Sequence, residues 1–149
     1  MSTALLDVNV LLAMFDAGHV HYEDAHRWFR TLGRGKWATC PLTVNGCLRI
    51  FSQRGYRNAR TATEVAAMMR VGLDHPTHEF WPDSVSTLDE ELFDLQMLHS
   101  GKQLTDVYLL GLAVRRGGQL VTFDRSIPWK AVIGAKASDL KVLGGPRSR

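Results

Sequence analysis

Cysteine is scarce in this sequence, and so are the long apolar runs that mark a membrane protein. The two cysteines, Cys40 and Cys47, are too few for a disulfide framework, and no cluster of His and Cys has the spacing of a zinc site. No apolar run approaches the roughly 18–20 residues that a membrane-spanning helix needs. The apolar start lacks a basic head and contains Asp7, which argues against a secretory signal. We therefore expect a reduced, cytoplasmic protein outside the membrane.

Each sign of charge is missing from one long segment. Residues 25–63 carry eight basic side chains and no acid, whereas residues 71–101 carry seven acids and no Lys or Arg. The net charge of the chain is only +3, so this separation is hidden in the total. Such segregation suits a polyanionic partner, because each neutralised phosphate releases counterions. Two solvated faces of opposite sign are the alternative interpretation.

The length and the hydropathy pattern predict one α/β domain. A chain of 149 residues with 45% hydrophobic and 22% charged residues is typical of a single globular domain. We assign residues 1–143 to this domain and residues 144–149 to a frayed tail. Short apolar runs predict strands at 4–7, 37–40, 79–82, 119–123 and 141–143. Helical spacing predicts helices at 9–15, 21–32, 43–51, 61–73, 87–99 and 105–115. The alternation indicates a mainly parallel sheet of four or five strands.

The helix at 87–99 is predicted from its first residues alone. Thr87 would be the N-cap, and Glu90 three residues later would complete a capping box.

Three acids stand out by their position relative to the predicted strands. Asp7 follows the first strand, Asp124 follows the fourth, and Asp106 lies in the first turn of the helix that leads into the fourth. Ligands of open parallel sheets bind outside the carboxyl ends of the strands. Three carboxylates meeting there would repel one another unless a cation lay between them. Oxygen-only ligands favour Mg²⁺ or Mn²⁺, and such a site suits hydrolysis of a phosphodiester. Taken singly, each acid could instead be a helix or turn cap.

Several nearby residues are supporting candidates. Asn9 could hold Asp7 or a water in the site, or it could cap the following helix. Thr105 could hydrogen-bond within the site, and it could equally be an N-cap. Three cations next to the motifs could contact phosphate or simply face solvent: Arg49, Lys102 and Arg125.

Four motifs in order resemble those of PIN-domain ribonucleases. Leu5-Leu-Asp-Val-Asn resembles the opening motif, Leu104-Thr-Asp-Val-Tyr the third, and Val121-Thr-Phe-Asp-Arg the fourth. Trp37-Ala-Thr-Cys-Pro-Leu-Thr-Val-Asn-Gly-Cys-Leu-Arg is similar to the second motif of a VapC toxin subgroup common in mycobacteria. The resemblance runs from about residue 4 to residue 128.

The resemblance implies a PIN-like α/β/α sandwich and a toxin of a type II toxin–antitoxin pair. Such a protein would be a cytoplasmic endoribonuclease that uses Mg²⁺, with Mn²⁺ able to substitute. Asp7, Asp106 and Asp124 would be its catalytic, metal-binding residues. Its partners would be an RNA substrate, a VapB-like antitoxin and a second copy of the chain in a homodimer.

The second motif departs from the family in lacking an acid. PIN domains usually carry a Glu there, but residues 43–47 contain none, and Asn45 offers only an amide oxygen. We therefore expect one metal ion rather than two, unless an acid such as Asp83 substitutes. Two other functions stay open. One is a degenerate PIN domain that binds RNA or a partner without catalysis. The other is a Mg²⁺-dependent phosphatase with Asp7 as nucleophile, although the second Asp expected in such a motif is missing.

Overall fold

Five short parallel strands form the centre of the fold, and β1 is the middle one. The computed structural model describes residues 2–144. Its strands are β1 (Ala4–Leu6), β2 (Trp37–Thr39), β3 (His78–Phe80), β4 (Gln119–Thr122) and β5 (Leu140–Val142). The strand order is β3-β2-β1-β4-β5, and every pairing is parallel. The predicted α/β class and the fifth strand are confirmed.

Five helices connect the strands, and their ends lie within two residues of the predicted positions. They are α1 (Val8–Phe15), α2 (Tyr22–Leu32), α3 (Pro41–Ser52), α4 (Ala62–Leu73) and α5 (Leu104–Arg115). Pro41 occupies the first turn of α3, where its missing N–H removes no helical hydrogen bond. Thr61 and Glu64 form a reciprocal capping box at the start of α4.

The sheet separates two apolar cores because successive strand side chains point to opposite faces. Leu5, Ala38 and Leu120 face a core that contains α5. Ala4, Leu6, Trp37 and Val121 face the other core, which contains α1, α3 and α4 with α2 packed against it. The molecule is thus a three-layer α/β/α sandwich.

The predicted helix at 87–99 is wrong. This stretch consists of turns and one 3-10 turn, Leu95–Met97. Its neighbouring residues Leu92 and Phe93 are both buried, and Phe93 pairs with Val132 in an antiparallel bridge. The segment is held to the rest of the chain by backbone bonds such as that from the Ile133 N–H to the Leu92 carbonyl, at 2.8 Å. Tertiary contacts therefore replace the capping-box helix with an irregular connection.

Two predictions concern the ends of the chain and the membrane. The predicted tail begins at Gly144, and residues 145–149 lie outside the described residues. No helix within residues 2–144 is long and apolar enough to cross a membrane.

Cys40 and Cys47 are both buried and both free thiols.

The contact between Phe93 and α5 provides a stability test of this irregular connection. A Cβ added to Gly111 would lie 2.3 Å from Phe93 Cζ, and the Phe93 side chain is buried. We expect Gly111→Ala to lower the free energy of unfolding by about 1–3 kcal/mol, because overpacking outweighs the gain in helix propensity. Urea denaturation measures this change. Gly101→Ala is the matched control, since nothing lies within 4 Å of its Cβ. Equal stability of both variants would contradict the packing of Phe93 on α5.

Candidate active site

Asp7 lies where β1 ends and α1 begins, and it is the N-cap of that helix. Only 4% of its surface is exposed. Its Oδ1 accepts a hydrogen bond from the Val8 backbone N–H at 2.7 Å, and its Oδ2 accepts one from the Thr122 hydroxyl at 2.7 Å. Burial raises the pKa of Asp7, these two hydrogen bonds partly offset the rise, and the charge of Asp124 adds to it. A buried acid is thus kept in a fixed orientation at the carboxyl edge of the sheet.

The Thr122 hydroxyl connects three residues of the site, and sequence analysis missed it. It donates to Asp7 and accepts from the backbone N–H of Asp124 at 3.0 Å and from the Asn9 amide at 3.3 Å. Thr122 is fully buried at the end of β4. Threonine is common in strands, so its presence in an apolar strand does not by itself indicate a functional role. The only signal in the sequence is that it lies two residues before Asp124.

Asn9 bridges α1 and β4. Its Nδ2 donates to Thr122 Oγ1, and its Oδ1 accepts from the Phe123 backbone N–H at 3.2 Å. The predicted alternative, an N-cap at Asn9, is wrong because Asp7 occupies that position. Asn9 therefore fixes the loop that carries Asp124 rather than the start of its own helix.

Asp106 and Asp124 interact with each other and with Asp7. Burial, the charges of Asp7 and Asp124, and a hydrogen bond with Asp124 together raise the pKa of Asp106 to about 7. Burial also tends to raise the pKa of Asp124, but hydrogen bonds from the Ser126 hydroxyl and N–H outweigh it, so the net pKa is lowered. Both of these bonds end on Asp124 Oδ1, at 2.7 and 2.8 Å. Three acids from separate parts of the sequence thus share one electrostatic environment.

The carboxylates of these side chains are suitable ligands for a hard divalent cation, but they do not stand in positions that would coordinate one. All three offer carboxylate oxygens, the ligands that Mg²⁺ and Mn²⁺ prefer. Within residues 2–144, however, no three His, Cys, Asp or Glu side chains already stand close enough together to hold a metal ion. Asp7 is fixed by hydrogen bonds at both oxygens, whereas Asp106 is half-buried. A shared cation would therefore require the Asp106 side chain, and with it Asp124, to adjust toward Asp7.

The other predicted site residues are all exposed. Asn45 and Arg49 line an open groove between α3 and α4, together with Arg70. Thr105 is exposed and is not the N-cap of α5, which is Gln103. Lys102 is exposed in the 3-10 turn Gly101–Gln103.

Arg125 is also exposed, and its guanidinium donates to the Gly144 carbonyl at 3.1 Å. It therefore ties the loop after β4 to the end of β5.

Asp83, the acid that could have replaced the missing one, is exposed and lies near the start of α5. It is near the Cys40 thiol and the Tyr108 phenol, and its charge contributes to the raised pKa of both after the effect of burial. The groups that shift the pKa of Asp106 are Asp7 and Asp124, and Asp83 is not among them. Asp83 therefore belongs to a separate cavity, lined also by Thr105 and Tyr108.

The fold is that of a known family. The PIN domain model matches residues 4–132, so the chain belongs to the PIN domain family. Within that family it belongs with the VapC ribonucleases, the toxins of toxin–antitoxin pairs. Ribonuclease VapC44 of Mycobacterium tuberculosis is 44% identical over 140 residues, covering 94% of this chain and 99% of that protein. Ribonuclease VapC39 of the same species is 39% identical over 133 residues, covering 89% and 96%.

Two solved structures have the same fold at low sequence identity. One is the Mycobacterium tuberculosis VapC20 toxin, which cleaves the sarcin–ricin loop. Its TM-score is 0.60 at 14% identity, covering 89% of this chain and 98% of that chain. The other is VapBC2 of Rickettsia felis bound to a fragment of its promoter DNA, with a TM-score of 0.60 at 13% identity, covering 94% and 96%. At these identities the likeness shows the fold alone.

The Thr122 hydroxyl can be tested by a substitution that keeps its shape. Thr122→Val removes the donor to Asp7 and leaves a buried carboxylate oxygen without its partner. We expect a loss of about 1–3 kcal/mol in the free energy of unfolding. We also expect a roughly 10–100-fold loss of ribonuclease activity, the usual range for a residue that orients a metal ligand. Denaturant titration and an RNA cleavage assay measure the two effects.

Thr39→Val is the matched control for this variant. Thr39 is also fully buried at the end of a central strand, and its hydroxyl is 2.8 Å from His78 Nε2, outside the acidic cluster. It should lose stability but keep its activity per folded molecule. If both valine variants lose activity in proportion to stability alone, Thr122 has no part in orienting Asp7.

The raised pKa of Asp106 predicts an unusual pH dependence of stability in the metal-free protein. Asp106 holds its proton up to about pH 7 when folded, against an ordinary value of 3.8. Between these values the folded state binds more protons than the unfolded state, so the free energy of unfolding falls as pH rises. We expect Asp106→Asn to be more stable than the wild type in EDTA at pH 8, by no more than about 4 kcal/mol. The difference should vanish near pH 4. Thermal unfolding at several pH values tests this, and a pH-independent difference would contradict the shift.

Proposed function

We propose that this chain is a metal-dependent endoribonuclease that cleaves RNA at Asp7, Asp106 and Asp124. The observation that carries the proposal is that three acids from separate parts of the sequence interact at the carboxyl edge of the sheet, where burial first and the charges of Asp7 and Asp124 second raise the pKa of Asp106. Acids that repel one another in the free protein are a ready site for a cation. The ribonuclease names of the relatives support the reaction.

The three aspartates would hold Mg²⁺, or Mn²⁺ in its place, and each has a distinct support. A bound ion of this kind supplies an activated water and offsets the charge that develops on the leaving oxygen. Asp7 is kept in position by Thr122 and Val8, and Asp124 by Ser126. Asp106 is hydrogen-bonded to Asp124, so these two half-buried side chains would turn toward the ion together.

One ion per site is the stoichiometry that this donor set supports. α3 begins at Pro41 and brings no acid to the cluster, since residues 43–47 contain none. Val44 is packed against the apolar core instead, and Asn45 is exposed in the groove between α3 and α4. Three carboxylates can balance one divalent cation but leave a second one with an excess of positive charge.

The substrate that we propose is RNA, reached through a basic surface. Residues 25–63 carry eight Lys or Arg side chains and no acid, and they form α2, α3 and the connections around them. Arg49 and Arg70 lie together in the groove between α3 and α4, where they can contact phosphates. A positive surface beside a small acidic site would direct the RNA backbone past the carboxylates.

We also propose a VapB-like antitoxin as the partner that blocks the site. The VapBC2 complex of Rickettsia felis supports such a pair. An Arg of the antitoxin would be attracted by the acidic cluster, since a guanidinium binds a carboxylate bidentately. It would take the place of the cation and of the substrate phosphate together. The homodimer implied by the resemblance stays a prediction.

Removal of a single carboxylate tests the catalytic proposal. We expect Asp7→Asn, Asp106→Asn and Asp124→Asn each to reduce RNA cleavage to background, because each removes one charged ligand of the proposed ion. EDTA should abolish wild-type cleavage, and excess Mg²⁺ or Mn²⁺ should restore it. Calorimetric titration with Mn²⁺ should give one ion per chain. The measurement is cleavage of a labelled RNA, with circular dichroism to verify folding.

Glu91→Gln is the control, because it removes one exposed acid outside the cluster. It should cleave as the wild type does. Full activity in all three Asn variants, or in EDTA, would reject the mechanism. RNA binding without cleavage under any metal would favour the degenerate PIN domain, and hydrolysis of a simple phosphomonoester through a phosphorylated Asp7 would favour the phosphatase.

Co-expression tests the antitoxin. We expect the protein encoded next to this chain to co-purify with it and to restore growth to cells that express it. Replacing the antitoxin Arg that enters the acidic cluster should weaken binding by about 2–5 kcal/mol, because it leaves buried carboxylates unpaired. Isothermal titration with the two antitoxin forms measures this loss. A neighbour that neither co-purifies nor restores growth contradicts the toxin–antitoxin assignment of this pair.

A further inference from the structure

A cavity of about 250 Å³ adjoins the acidic cluster and has no part in holding the proposed cation. It is lined by Leu42, Asp83, Thr87, Leu104, Thr105 and Tyr108. Thr105 directly precedes Asp106, so the cavity begins one residue from a catalytic carboxylate. Its volume lies just below the roughly 300–1,000 Å³ that is typical for drug-sized ligands. The cavity is therefore of a size for a small group rather than for a whole nucleotide chain.

Two leucines and an aromatic ring form the apolar part of the cavity wall. Leu42 and Leu104 line it, and Leu104 is 38% exposed. The Tyr108 ring also lines it, and the ring lies parallel to that of Phe93 with 6.5 Å between centroids. Because Phe93 is buried, the position of the tyrosine ring is fixed before any ligand arrives. A fixed ring and two leucines form a surface on which a planar base can stack.

The charged group of the cavity is an acid without a counterion. Asp83 is exposed, and no Lys, Arg or His within residues 2–144 forms an ion pair with it. The Cys40 thiol, which is a weak donor, is within hydrogen-bonding reach of Asp83. An ionised carboxylate offers acceptors only, so Asp83 can bind a ligand through N–H or O–H groups and repels a ligand edge that presents oxygens.

We propose that this cavity receives one unstacked base of the RNA substrate and that Asp83 selects guanine. This inference rests on the proposed ribonuclease function. Single-stranded RNA is usually read through bases that stack on aromatic side chains and hydrogen-bond along their Watson–Crick edge. Guanine presents two adjacent N–H donors on that edge, which match the two oxygens of a carboxylate. Uracil presents one donor between two carbonyl oxygens, and the carboxylate repels those oxygens.

If the negative charge of Asp83 selects the base, its removal should affect guanine and uracil in opposite directions. A purely structural role of Asp83 would not have this effect. Asp83→Asn should weaken binding of a guanine, because the amide offers only one acceptor oxygen. It should also strengthen binding of uracil, because the amide donates to a carbonyl and no longer repels the phosphates. Opposite changes for two substrates cannot arise from a general loss of folding or of RNA affinity.

The experiment compares three short RNAs on the Asp124→Asn background in Mg²⁺, where binding is measured without turnover. The probes are fluorescein-labelled pentauridine and the same oligonucleotide with a central guanosine or inosine. Inosine keeps the ring N–H of guanine but lacks its amino group. We expect guanosine to bind roughly 10-fold or more tightly than uridine, as a bidentate contact allows, and inosine to lie between them. Adding Asp83→Asn should remove this order.

Matched variants separate the cavity from general electrostatics. Glu91→Gln removes the same charge from an exposed acid outside the cavity and should leave the order intact. Tyr108→Phe should keep the stacking surface, whereas Tyr108→Ala should weaken binding of all three probes. Cleavage-site mapping with the wild type should show guanine at one fixed position beside the cut, and with Asp83→Asn it should not.

The outcomes distinguish failure of the base site from failure of the proposed ribonuclease function. If RNA is cleaved but the three probes bind equally, or if Asp83→Asn shifts all three by one factor, the base site is wrong and the ribonuclease stands. If no probe is bound and no RNA is cleaved, both proposals fail together.

Discussion

The hydrogen bond from the Thr122 hydroxyl to the buried Asp7 carboxylate is the contact on which the site depends. A buried charge is costly unless it is hydrogen-bonded, so Asp7 can remain at the end of β1 only with such a donor. The donor arrives through the sheet register, which pairs Leu6 with Val121 and so places Thr122 beside Asp7. The same hydroxyl accepts from the Asp124 backbone. Because a shift of one residue would turn Thr122 to the opposite face, the register of β1 and β4 determines the geometry of the acids.

The acidic cluster is maintained at the expense of stability. Burial and like charges leave Asp106 with a pKa of about 7, so near neutral pH the folded protein holds a proton that the unfolded chain would release. The two large cores on either side of the sheet compensate for this cost. A cation bound between these acids would offset their repulsion and so raise the free energy of unfolding. The same cation would complete the proposed catalytic site.

Sequence patterns predicted the elements and the three acids, but not the contacts between them. Thr61-x-x-Glu64 and Thr87-x-x-Glu90 carry the same capping signature, and only the first begins a helix. After Glu64 the buried residues Val65 and Met69 lie one helical turn apart, whereas after Glu90 the buried residues Leu92 and Phe93 are adjacent. Local signals could not foresee that the backbone there pairs with residues 131–133. The role of Thr122 was hidden for the same reason, since it depends on a strand pairing with a residue more than a hundred positions away.

The distribution of negative charge at the carboxyl edge of the sheet explains how this site differs from a four-acid one. In place of a fourth acid on α3, Val44 adds to the apolar core, and the charge of Asp83 acts on Tyr108 rather than on Asp106. With the one divalent cation that we propose, three ionised carboxylates keep a single net negative charge, and an arriving phosphate would not be attracted by a surplus of metal charge. The basic residues around α3 would supply that attraction instead. Asp83, which the proposed cation does not use, would remain available to a group that carries N–H donors.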